Sequence, residues 1–131
     1  MARPSLNGET AETAQSLWLL AAGPLCWAGH FLLSYATAAV WCARVAGPGG
    51  SLGAARVVIG VYTLVALAGI GATALRAWRK KAYGGETEPF DADSPAGRHR
   101  FLGFAAFLLA AMSAVATGYT ALAAFLIRSC Y

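Results

Sequence analysis

From Leu17 to Cys42 the chain contains no Asp, Glu, Lys or Arg, and none occurs from Val57 to Leu75 or from Phe101 to Ile127. Charged residues make up only 12% of the 131, against 58% hydrophobic. A soluble domain of this length alternates charged and apolar faces along each helix, so this scarcity excludes a water-facing fold. Catalytic signatures are missing as well. There is no GxSxG, HExxH or phosphate-binding Walker loop, and no pair of carboxylates inside an apolar run. No CxxC occurs, which speaks against a membrane thiol oxidoreductase. Glu86, Glu88, Asp91 and Asp93 all fall in one polar, proline-containing stretch, where they read as solvating charge.

What is present is three long apolar runs. At 1.5 Å per residue, Leu17–Cys42 makes a helix of roughly 39 Å and Val57–Leu75 one of about 28 Å, against a bilayer core of about 30 Å. The expected fold is an all-α integral membrane protein with three transmembrane helices. Its expected parts are a polar, loosely attached N-terminal tail (1–15), a first span (16–45), an outer Gly/Pro turn (46–53), a second span (54–78), a cytoplasmic loop (79–100), a third span (101–128) and an outer C-terminal tail (129–131). The first run far exceeds the 7–15 residue core of a secretory signal and has only Arg3 before it, so it is expected to stay in the mature chain. Gly23-Pro24 predicts a kink there. Arg56 and Arg76 bracket the second span and are expected to snorkel to opposite interfaces.

The charges that do occur are unevenly placed. Arg3, Arg76, Arg79, Lys80, Lys81, Arg98 and Arg100 lie in the tail and long loop; only Arg44, Arg56 and Arg128 lie at the other ends of the spans. The positive-inside rule therefore puts the N-terminus in the cytoplasm and the C-terminus on the periplasmic or extracellular side. The net charge of +4 follows the membrane topology rather than a basic stripe interleaved with aromatics, so nucleic acid is not an expected partner.

The first span carries one imidazole, His30, near its middle. With 100° per residue, Gly23, Cys26, Trp27, Ser34, Thr37 and Trp41 fall within about 60° of it, while Tyr35 points away. Polar groups on one face of a span should point at protein. The third span has a matching stripe of Ala106, Ala110, Ser113, Thr117, Thr120 and Ala124, small enough for close helix approach. Ser113 and Thr117 are the expected partners of His30. In the second span Tyr62, Ala66, Gly69 and Thr73 share one side, Gly60 and Gly71 another. The expected seam is thus Gly23, Trp27, His30, Ser34, Thr37 and Trp41 against Ser113, Thr117 and Thr120.

Sharper roles for His30 fit less well. Six-coordinate haem needs two axial histidines, and His99 lies in the loop, so haem would require a partner to supply the second ligand. A proton relay would want an intramembrane carboxylate. Zinc needs three or four ligands, and Cys26 with His30 makes two. No cofactor bound by this chain alone, no metal site and no catalytic residue are expected.

Three cysteines occur. Cys42 and Cys130 fall on the same, outer side. If that side is oxidising they can bridge, closing a loop of about 90 residues worth ~4–5 kcal/mol by chain entropy; the other reading is two unrelated thiols at helix ends. Cys26 reads as a packing residue.

The run Gly23-Pro24, Trp27, His30-Phe31, Tyr35 and Cys42, with a second cysteine at the C-terminus, resembles a group of small three-span bacterial membrane proteins encoded beside haem-copper cytochrome c oxidase genes. The likeness covers about a third of the chain. It implies a bacterial cytoplasmic (inner) membrane and an accessory or assembly role around a terminal oxidase, not catalysis. Expected partners are larger integral membrane subunits or a second copy, within the lipid bilayer. The rival expectation is a homo-oligomeric channel or transporter lined by the His30 face.

Overall fold

A computed structural model describes residues 6–83 and 95–131. Three long α-helices, α1 (Leu6–Trp41), α2 (Gly53–Tyr83) and α3 (Pro95–Leu126), pack pairwise against one another. Each is long and apolar enough to cross a membrane, over Leu17–Ala46, Gly53–Arg79 and Arg100–Leu126. The chain is therefore built as a multi-pass membrane protein. Large side chains such as Leu32, Val57, Leu64, Val65, Met112 and Leu126 point outward, as lipid-facing residues do in a bundle with no aqueous surface at that depth.

Helices extend past the expected spans. The tail expected over 1–15 is helical from Leu6. Glu9, Ala11, Glu12, Ala14 and Gln15 are good helix formers, and no proline interrupts them, so α1 simply propagates back from its apolar part. The expected loop over 79–100 shortens in the same way: α2 continues to Tyr83 and α3 starts at Pro95, a residue suited to the first turn of a helix. Residues 1–5 and 84–94, with the acids at 86, 88, 91 and 93, lie outside the described residues. α1 stays helical through Pro24.

The interior is lined by small residues at three- and four-residue spacing. On α2, Ala55, Ile59, Ala66, Ile70, Thr73 and Ala77 are buried; on α3, Ala106, Ala110, Ser113, Thr117 and Ala121 are. Lipid tails are as apolar as leucine, so close backbone approach and van der Waals contact hold such helices together. At Gly23, fully inside, an added Cβ would lie 3.1 Å from the Ala110 Cα. Gly60 packs on Phe125, whereas nothing lies within 4 Å of where a Cβ on Gly71 would stand.

α1 passes into a single π-helical turn, Cys42–Ala46, before the Gly/Pro turn. Gly47 and Gly49 take positive φ values of 66° and 74°, conformations that favour residues without a Cβ.

Candidate functional site: the His30 seam and the disulfide clasp

His30 is 3% exposed, and it meets α2 rather than α3. Its Nε2 lies 2.9 Å from Thr63 Oγ1 and 3.4 Å from Ser34 Oγ. Thr63 Oγ1 donates to the Ile59 carbonyl at 2.8 Å. The Thr63 hydroxyl thus links the imidazole of α1 to the backbone of its own helix. Nδ1 is buried and has no partner among the described residues.

The expected pairing of His30 with Ser113 and Thr117 is thus corrected. Both are buried, but their hydroxyls turn back on their own helix, Ser113 to the Leu109 carbonyl at 2.7 Å and Thr117 to the Ser113 carbonyl at 2.8 Å. Half-buried Thr120 does the same with Ala116 at 2.9 Å. Small hydroxyls in an apolar helix satisfy themselves locally and leave the interhelical bond to the one longer polar side chain. The residue that sequence reasoning missed is Thr63. Its signal was available: it is a mid-span hydroxyl in α2.

The other seam residues divide between neighbours. Gly23 faces Ala110 and Ser113 of α3, and Cys26 places its sulfur 3.3 Å from where a Cβ on Gly69 of α2 would stand. Ser34 is buried and Thr37 half-buried. Trp27 departs from the expectation. It lies on the outer edge of the stripe, 36% exposed, with its ring 6.2 Å from Phe31, which in turn stacks on Tyr35 at 6.5 Å. Its ring is too large for a seam that admits glycine and alanine, so it turns to the lipid side.

Where α1 ends, Cys42 and Cys130 form a disulfide with Cα atoms 5.6 Å apart. Around it the backbone is clasped: Gly49 N donates to the Cys130 carbonyl and Cys130 N to the Gly50 carbonyl, while Ser51 and Ser129 form an antiparallel bridge. The short C-terminal tail is therefore tied into the turn, and the expected bridge between Cys42 and Cys130 is present. Leu52, Ala55 and Cys130 are buried together under Trp41, Cys42 and Ala46. Trp41 Nε1 donates to the Ser51 carbonyl at 3.1 Å, so this residue belongs to the clasp and not to the seam.

Arg56 departs from simple snorkelling. Its Nη2 donates to the Phe125 carbonyl at 2.6 Å, and its guanidinium stands 5.6 Å from the Phe125 ring centre. That carbonyl belongs to the last turn of α3, where helix carbonyls lack intrahelical partners and the dipole favours a cation.

Among the described residues no group of three or more His, Cys, Asp or Glu side chains is placed to hold a metal ion. Comparison with known proteins finds no matching family, no matching curated protein and no matching solved structure.

Proposed function

We propose that this chain is a small accessory subunit or assembly factor of a larger membrane complex, with a respiratory terminal oxidase of the haem-copper type as the leading candidate, and that it acts by helix packing. One observation carries the reading: His30, the polar centre of the first span, is spent on joining α1 to α2 inside the bundle. A rival pore between copies would need that face on the outside, which weighs against the channel reading. Helices approach so closely at Gly23 that a Cβ there would crowd Ala110, which suits a packing element better than a reaction chamber. Haem ligation by His30 would use a ring nitrogen from within this seam and would still need a second ligand from a partner.

The orientation belongs to the same proposal. The disulfide is the kind of bond that persists on an oxidising side, and the cationic ends of α2 and α3 lie at the opposite end of the bundle. Both favour a cytoplasmic N-terminus and a periplasmic clasp in a bacterial inner membrane. A tagged pull-down in mild detergent, read by gel mobility and an optical haem spectrum, tests the reading. Co-migration with larger haem-bearing polypeptides is expected. A symmetric haem-free homo-oligomer would favour the pore instead, and a lone monomer would count against both.

A further inference from the structure

Three aromatic side chains of α1 run up the outside of the bundle. Trp27, Phe31 and Tyr35 recur every four residues, so they lie on one slowly turning face, and successive rings stand 6.2 Å and 6.5 Å apart. Exposure rises along the row, from 36% at Trp27 through 45% to 69% at Tyr35. The ridge thus begins at the edge of the His30 seam and leads away from it.

Its depth sets it apart from an ordinary aromatic belt. A hydrocarbon core of about 30 Å takes up about 20 helical residues. Centred on the apolar span Leu17–Ala46, it contains all three positions. Tyrosine and tryptophan normally gather at the two interfaces, where the hydroxyl or N–H meets water. Tyr35 is poorly placed to reach one. It lies in the C-terminal half of its span, and helical side chains lean toward the N-terminus, so its hydroxyl is carried toward the midplane rather than the nearer headgroups. That hydroxyl has no hydrogen-bond partner among the described residues.

We infer that this ridge is the surface by which the chain joins its larger complex, and that it receives a transmembrane helix of a different polypeptide with a hydrogen-bond acceptor side chain at the height of Tyr35. Lipid tails offer no acceptor at that depth. A second copy of this chain is a poor match as well. Every exposed residue from Val57 to Leu75 of α2 is apolar, and on α1 and α3 the exposed polar side chains within the core are Trp27, Tyr35 and Tyr119 alone. The stacked rings supply broad apolar area, and the one hydroxyl fixes the height of the incoming helix. The inference rests on the accessory-subunit reading.

Photocrosslinking of the full chain in its native membranes provides the test, with p-benzoylphenylalanine in place of Phe31 or, as a comparison on the lipid side of α2, of Leu64. The Phe31 probe is expected to attach to an apolar span of a different polypeptide, with an acceptor side chain within one turn of the attachment point. Independently, Tyr35→Phe keeps the ring and loses only the hydroxyl. It should lower the yield of the complex in mild detergent about 3-fold to 16-fold, the range of interhelical hydrogen bonds in membranes. Tyr119 is also exposed within the core but has no ring beside it among the described residues, and Tyr119→Phe should leave the yield unchanged. Attachment of the Phe31 probe to lipid alone, to a second copy or to a span without an acceptor would overturn the inference. So would an unchanged yield in Tyr35→Phe, or equal losses in the two variants. Polypeptide adducts from Leu64 but not from Phe31 would overturn it and leave the accessory reading standing. Adducts from neither, with a lone monomer in the pull-down, would remove both.

Discussion

His30 Nε2 of α1 lies 2.9 Å from Thr63 Oγ1 of α2, two residues 33 positions apart in sequence whose hydrogen bond lies inside the bundle. Interhelical bonds of this kind are worth about 0.6 kcal/mol on average and up to about 1.7 kcal/mol in membranes. Removing only the threonine hydroxyl strands a buried ring nitrogen, so Thr63→Val should cost more than the bond itself, about 1–3 kcal/mol. The double variant His30→Leu/Thr63→Val should be milder than the two single losses added together. A double-mutant cycle measured by unfolding in mixed micelles checks this; strict additivity would mean that the two side chains do not interact.

Gly23 and Gly29 offer a matched pair. A side chain at Gly23 runs into Ala110, whereas at Gly29 nothing lies within 4 Å. Gly23→Leu is expected to destabilise by about 1–3 kcal/mol through overpacking, and Gly29→Leu to leave stability unchanged. Equal sensitivity at both positions, in the same detergent unfolding assay, would contradict the α1–α3 contact.

The disulfide predicts a thiol count. With three cysteines and one bridge, denatured but unreduced protein should accept one alkylating group, at Cys26, and reduced protein three. Two or more groups before reduction would show the bridge to be absent. Reduction should lower stability by ~2–4 kcal/mol. Because Gly49 and Gly50 also hold Cys130 through the backbone, the reduced chain is expected to stay folded.

Arg56 should matter more than an interfacial arginine ordinarily does. Arg56→Gln loses the charged donor to the Phe125 carbonyl and the contact with its ring. The expected loss is about 1.5–3 kcal/mol, and faster amide exchange should appear in the last turn of α3. Arg76→Gln is the control. Arg76 is exposed near the other end of α2, and no change is expected there.

Much of the seam was legible in advance, and the errors have a common cause. Helical periodicity placed Gly23, His30 and Ser34 on one face and Ala106, Ala110, Ser113 and Thr117 on another, and all seven are buried. Periodicity gives the direction of a side chain from one axis but not which neighbour stands there. For that reason the stripe alone points His30 at the hydroxyls of α3, although Thr63 of α2 is the group within reach. Trp27 fell within the angular limit of the stripe, yet its size turned it outward. Trp41 likewise belongs to the clasp, because the chain bends through the π-helical turn just beyond it.

Composition and the lengths of the uncharged runs were enough by themselves to determine a three-helix membrane fold, because the bilayer admits few ways of satisfying a backbone. Counting spans also brings Cys42 and Cys130 to one end of the bundle. Tertiary structure alone decided that they are joined, that Arg56 caps α3, and that the imidazole bonds α2. Each depends on the rotation and height of one helix against another, and those are set by the summed fit of glycine and alanine contacts along three interfaces, which no single stretch of sequence contains.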